Sequence, residues 1–244
     1  MSADHLVFTR EVNGAVQICA FVDHQQSEHK DKVHLSSITV PYGESENGLP
    51  EGGDFKKISK IEDRLIAEFE RLDGIHIGHI ISAGAMRTWF RSRQKPPTEM
   101  DVKTGLFKKE KFQLTNYDDP NWSIGDTEVK PQPIEFEKAH NTTLHMTLNE
   151  HGDIAESIRK VDFFAYFISR EVADGFAAEI SAHGFSIGEI TEHDQKHELR
   201  FGLEFSKEMN VVPNDIAHVC HEVRGIVGKH GGDFDGWACP VVTE

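Results

Sequence analysis

The chain holds 15 histidines and 3 cysteines among 244 residues, so metal chemistry is the first thing to look for. His218, Cys220 and His221 stand in an HVCH run. A zinc site wants two histidines at i, i+4, or a Cys/His set whose second half lies elsewhere. HVCH has neither, and Cys220 falls on an apolar stripe, so surface or half-buried histidines are expected there. His193 and His197 have the i, i+4 spacing, but they lie in a polar EHDQKHE stretch between strands rather than on a helix. His76 and His79 stand in an apolar run that reads as a strand, which places them on opposite faces. Asp233-Phe234-Asp235-Gly236 has part of a calcium loop, and Glu244 stands where the bidentate glutamate would, but the next acidic ligand is missing. A turn that caps its own backbone is the ordinary explanation. No metal or cofactor is expected from these groups. Nucleophile-elbow, phosphate-loop and H-E-x-x-H patterns are absent too, so nothing specific points to an enzyme.

Cationic chemistry is confined to one region. Arg87, Arg91, Arg93, Lys95, Lys103, Lys108, Lys109 and Lys111 cluster there, with Trp89 and Phe90 interleaved. A hairpin edge blunted by charge explains the cluster; a phosphate or nucleic-acid contact is the alternative. Arg200-Phe201-Gly202 is similar to the RNA-stacking strand of RRM domains, but the order there is basic, Gly, aromatic. The formal charge of −15 also argues against direct nucleic-acid binding and for attraction to a basic protein surface. Solubility alone also accounts for that charge. The first 137 residues carry 17 Lys and Arg against 23 Asp and Glu, and the rest carry 9 against 18.

The composition supplies a core: 38% apolar residues, 16 of them Phe. No apolar run approaches the roughly 20 residues of a membrane span, and the N-terminus has no secretion pattern. Cys19, Cys220 and Cys239 form no CxxC pair. Free thiols in a reducing cytoplasm are expected.

The elements that position these groups read as two α+β domains. In the first, Leu6–Phe8 and Ala15–Val22 form a hairpin across Asn13-Gly14, a favoured two-residue turn. Val33–Val40 is a strand, and Phe55–Leu72 a helix with the stripe Ile58, Ile61, Leu65, Phe69 and Leu72. Ile75–Ser82 and Met86–Arg91 form a second hairpin across Ala83-Gly84, followed by a strand over Phe107–Thr115. Glu128–Pro133 is the boundary. The first domain spans 1–130, a linker with a short helix over Asn141–Asn149 spans 131–150, and the second domain spans 151–244.

In the second domain, strand Val161–Ile168 is followed by a helix capped by Ser169 with the stripe Val172, Phe176, Ala177 and Ile180. Strands over Phe185–Thr191 and Leu199–Phe205 come next. The last helix carries Ile216, Val219, Cys220, Val223, Ile226 and Val227 on one face. It starts at Pro213-Asn214 and stops at Gly231 or Gly232. A last strand is expected over Ala238–Val242. This β-α-β-β-α-β order predicts a ferredoxin-like sheet with both helices on one face.

Two stretches carry a resemblance. VVP, then a helix, then GGDFDGW at Gly231–Trp237, with VDFFAYF at Val161–Phe167, is similar to the regulator of ribonuclease activity B family over roughly 141–242. NGLP at Asn47–Pro50, IEDRLIAEFE at Ile61–Glu70 and DDPNW at Asp118–Trp122 resemble a bacterial domain of unknown function known to be fused ahead of that regulator. Where that domain runs from its Trp into a short helix, this chain has SIGDTEVKPQP. The regulator resemblance implies the ferredoxin-like fold and a non-catalytic protein that binds endoribonuclease E, the organiser of bacterial RNA decay, and damps its activity.

The first strand of the second domain is apolar on both faces, with Phe164, Tyr166 and Ile168 opposite Val161, Phe163, Ala165 and Phe167. A sheet with helices on one side should alternate, so the second face needs a cover. Either the first domain or the linker helix lies there, or a partner does. With a partner, Phe164 and Tyr166 plus the acids Glu192, Asp194, Glu204, Asp233 and Asp235 are the expected contacts for an arginine-rich segment of the nuclease.

Overall fold

The computed structural model describes residues 5–22, 24, 28–43, 48–104, 108–193 and 198–243. It divides the chain into two compact units, 1–135 and 136–244. Each is a mixed α+β unit built around its own sheet.

The first unit is a seven-stranded antiparallel sheet. Its strands are β1 (His5–Val12), β2 (Ala15–Val22), β3 (His34–Pro41), β4 (Gly74–Ser82), β5 (Ala85–Ser92), β6 (Glu99–Lys103) and β7 (Lys109–Asp118), in the order β1-β2-β4-β5-β3-β7-β6. Both hairpins turn as expected: Asn13-Gly14 has φ of 52° and 79°, Ala83-Gly84 of 49° and 78°. Paired left-handed residues match the twist of the strands they join. Helix α1 (Asp54–Glu70) lays Ile58, Ile61, Leu65 and Phe69 against Ile38, Val40, Ile81 and Phe90 of the sheet. The Phe69 and Phe90 rings stack at 4.1 Å. Glu62 lies on the same buried stripe.

A smaller core of Leu35, Ile77, Trp89 and Val129 includes Ile124 of helix α2 (Ser123–Glu128). This helix occupies the SIGDTEVKPQP stretch. It starts because Asp119 acts as its cap from outside, accepting the backbone N–H of Ile124 and Gly125 and the hydroxyl of Ser123. Asp119 also pairs with the guanidinium of Arg91, which is fully buried and lies 4.1 Å over the Trp122 ring. Trp122 takes a left-handed φ of 62° to get there. The DDPNW stretch is therefore a structural knot.

The helix expected over Asn141–Asn149 is longer than its sequence suggests. Helix α3 runs from Pro133 to Glu150, and the two units divide within it. Its early turns hold because Arg224 bonds both carboxylate oxygens of Glu137, at 2.7 and 3.2 Å, with its guanidinium 5.5 Å over the Phe136 ring.

The second unit contains β8 (Arg159–Phe167), α4 (Arg170–Ala182), β9 (Ser186–Glu192), β10 (Phe201–Met209), α5 (Pro213–Lys229) and β11 (Asp233–Ala238). The sheet runs β11-β8-β10-β9 with every neighbouring pair antiparallel. Each helix thus connects two parallel strands across an antiparallel one, the split β-α-β arrangement. Val161, Phe163, Ala165 and Phe167 share one core with Phe176 and Ile180 of α4, Ile216, Val223 and Val227 of α5, and Leu148 of α3. The Ser169 hydroxyl accepts the Val172 N–H at 3.3 Å and caps α4 as its sequence predicts.

The last strand differs from expectation. It is Asp233–Ala238, and residues 239–243 are not strand. Phe234 and Trp237 both bury against the core, which fixes this stretch on β8. Pro240 has no N–H with which to extend the ladder.

Candidate functional site

The helices of the second unit all pack on the Val161 side of β8. The other side carries Asp162, Phe164, Tyr166 and Ile168, at alternate positions. Phe164 and Tyr166 are half-buried, and Ile168 is 56% exposed. Cross-strand pairing shows what surrounds them. Phe164 stands opposite Glu204 of β10 and Gly236 of β11. Tyr166 stands opposite Gly202 and Asp233. Directly opposed residues share a face, so two aromatic rings lie between acids on the flanking strands. Asp162 and Glu204 have Lys160 for company, at 2.7 and 3.8 Å.

Gly202 leaves room for two side chains at this place. A Cβ there would sit 2.7 Å from His193 and 3.1 Å from the Tyr166 ring. The glycine lets Tyr166 and His193 meet edge to face at 5.7 Å.

The other expected contacts scatter. Glu192 pairs with Phe201, which packs against the core, so Glu192 shares the helix side of the sheet. Asp235 is exposed at a bulge where β11 slips register against β8 between Phe234 and Gly236. Asp194 and His197 lie outside the described residues. Phe201 being on the core side also removes the RRM-like reading, which needs that ring on the open face.

The glycine-rich signature proves to be architectural. Gly231 takes φ of 65° and ends α5. A Cβ on Gly232 would sit 2.5 Å from the Phe167 ring. The Trp237 indole donates to Asn141 on α3 at 2.9 Å. In HVCH, His218 and His221 are exposed while Cys220 is buried, its thiol pushed up to about 12 by burial.

Two readings from sequence change in the first unit. The Arg87–Lys111 cluster is not one surface. Arg91 is fully buried in its pair with Asp119. Arg87 is half-buried, 4.3 Å over the Trp89 ring and bonded to Ser37 and Tyr117. Trp89 and Phe90 are core. Lys108 instead joins Lys56, Lys57, Lys60 and Arg64 of α1 around a groove of about 380 Å³, which Glu110 also lines.

Nor do His76 and His79 face opposite ways. Strand β4 slips register against β5 between His76 and Gly78, a bulge that puts an extra residue between them. Both imidazoles consequently reach Glu62 of α1: His79 Nδ1 at 2.9 Å and His76 Nε2 at 3.2 Å from Oε1. Nothing in the sequence pairs Glu62 with them beyond its place on the buried stripe.

The second unit is thus a helix-backed antiparallel sheet whose other face carries Phe164 and Tyr166 beside Glu204 and Asp233. Residues 138–239 match the family model of Regulator of ribonuclease activity B, and residues 7–126 match that of a family of unknown function, DUF695. No curated protein matches the chain. The first match supports a regulator of ribonuclease activity. No helix among the described residues is long and apolar enough to cross a membrane.

Proposed function

We propose that this chain regulates RNA decay in the cytoplasm without catalysing a reaction, by binding endoribonuclease E through the open face of its second sheet and lowering its activity. The observation that carries this reading is the placement of Phe164 and Tyr166 between Glu204 and Asp233. Such a strip suits arginine, whose guanidinium stacks on aromatic faces and pairs with carboxylates in the same pose. The acidic charge of the chain adds long-range attraction to a basic segment, which speeds association and makes it salt-sensitive. The test is co-purification of the full chain with endoribonuclease E at low and high salt. Retention at low salt that falls as salt rises supports the reading. No retention at low salt removes it.

A second reading rests on the groove between α1 and the β6–β7 end of the first sheet. Lys56, Lys57, Lys60, Arg64 and Lys108 there could follow a phosphate backbone. A gel shift with single-stranded RNA distinguishes the two. Binding that Lys57→Glu with Lys60→Glu abolishes, and Phe164→Ala leaves intact, favours the groove.

A further inference from the structure

Glu62, His76 and His79 come from the middle of α1 and the middle of β4, two rigid elements packed face to face in the first unit. Their donor atoms, one carboxylate oxygen and two imidazole nitrogens, all lie within 4.8 Å of one another. The bulge at Gly78 is what brings the two rings to one side. Gly78 has φ of 142°, and a Cβ there would stand 2.2 Å from the carbonyl oxygen of Ala20. The fold thus commits a glycine and a register slip to a feature that an ordinary strand would not need.

We propose that Glu62, His76 and His79 form a binding site for one first-row divalent transition-metal ion of the zinc class. Two imidazoles and a carboxylate are the donor set for such ions, whereas magnesium and calcium prefer oxygen alone. In a tetrahedral site with bonds of about 2.0–2.1 Å, donor atoms stand about 3.3 Å apart. The carboxylate oxygen already stands 3.2 and 2.9 Å from the two nitrogens. Binding takes the lone pairs of His76 Nε2 and His79 Nδ1, so each ring carries its proton on its other nitrogen.

A supporting shell is present. The Thr88 hydroxyl donates to Glu62 at 2.9 Å and lies 3.0 Å from His76 Nε2. The Phe90 ring packs beside His76 at 5.2 Å. Such contacts fix ligand orientation. Three protein donors leave a coordination position for water or another ligand. His79 is the most accessible of the three, with 18% of its side chain exposed, and marks the open side.

The test uses the full chain, stripped with a chelator and dialysed against Zn²⁺, with bound metal measured by elemental analysis. One tightly held ion per chain is expected. His79→Gln and Glu62→Gln should each weaken binding at least about tenfold, while His218→Ala with His221→Ala should leave it unchanged. Loading the unaltered chain with Co²⁺ should give visible absorption bands of a low-coordinate nitrogen–oxygen site, a readout that holds even if a variant fails to fold. No stoichiometric ion and no such bands, or binding retained in both His79→Gln and Glu62→Gln, would overturn the proposal.

Discussion

Trp237 on β11 donates its indole N–H to the side-chain oxygen of Asn141 on α3, at 2.9 Å and with both residues buried. The most conspicuous residue of the GGDFDGW stretch thus fastens the strand to a helix that begins before the second unit does. Trp237→Phe keeps most of the ring but leaves the Asn141 oxygen without this donor. A buried acceptor stripped of its partner costs about 1–3 kcal/mol. Thermal melts should show a lowered Tm for the second unit, with the far-UV spectrum unchanged below the transition.

Arg91 makes the corresponding knot in the first unit. Its guanidinium pairs with Asp119 and also donates to the carbonyls of Lys32, at 3.2 Å, and Asp119, at 3.0 Å. Arg91→Ala strands a buried carboxylate, which costs about 3–5 kcal/mol. Chemical denaturation should lose stability of that order.

The same aspartate sets an acid limit. Burial pushes the Asp119 carboxyl up, but the Ile124 and Gly125 N–H groups, Ser123 and Arg91 outweigh it, so its folded pKa lies below its ordinary value. A lowered carboxylate pKa contributes stability at pH above the unfolded value, and that contribution disappears as pH falls through the folded one. A series of melts from neutral pH to pH about 3 should show a smaller acid loss in Asp119→Asn than in the unaltered chain. Equal losses would mean that Asp119 is not ionised in the fold.

Gly78→Ala tests the bulge. The left-handed φ and the near contact with Ala20 leave no room for a Cβ, so a loss of more than about 1 kcal/mol is expected. Hydrogen exchange should show the loss concentrated in β2, β4 and β5.

These residues also show what a sequence exposes. The apolar stripes of α1, α4 and α5 repeat with helical spacing, and Asn13-Gly14 and Ala83-Gly84 specify their turns locally, so those elements are legible. The β-α-β-β-α-β order then determines the second sheet. Interactions at a distance are not legible. Helix α2 depends on Asp119, and α3 on Arg224, a residue 87 positions from its partner Glu137. Arg91 looks like a surface charge because its acid lies on another segment. The short strand β6, Glu99–Lys103, alternates charge with few apolar residues and, among the described residues, pairs with β7 alone. His76 and His79 look opposed because a bulge cannot be seen in a strand's spacing. Phe164 and Tyr166 stand out in the sequence, since a half-covered sheet rarely carries rings on both faces.

The proposed docking face can be probed at two residues. Phe164→Ala removes a ring whose neighbours are acids, and Glu204→Lys reverses a charge beside it. Each change should weaken nuclease binding about tenfold or more, with Glu204→Lys also flattening the salt dependence. Both sites lie outside the core, so melts should move little.

The most direct measurement is the initial rate of RNA cleavage by purified endoribonuclease E as this chain is titrated in, alongside its Phe164→Ala, Glu204→Lys double variant. A saturable fall in rate is expected with the unaltered chain, and little or none with the double variant. A rate that does not change with the unaltered chain, or that falls equally with both, would contradict the proposed function.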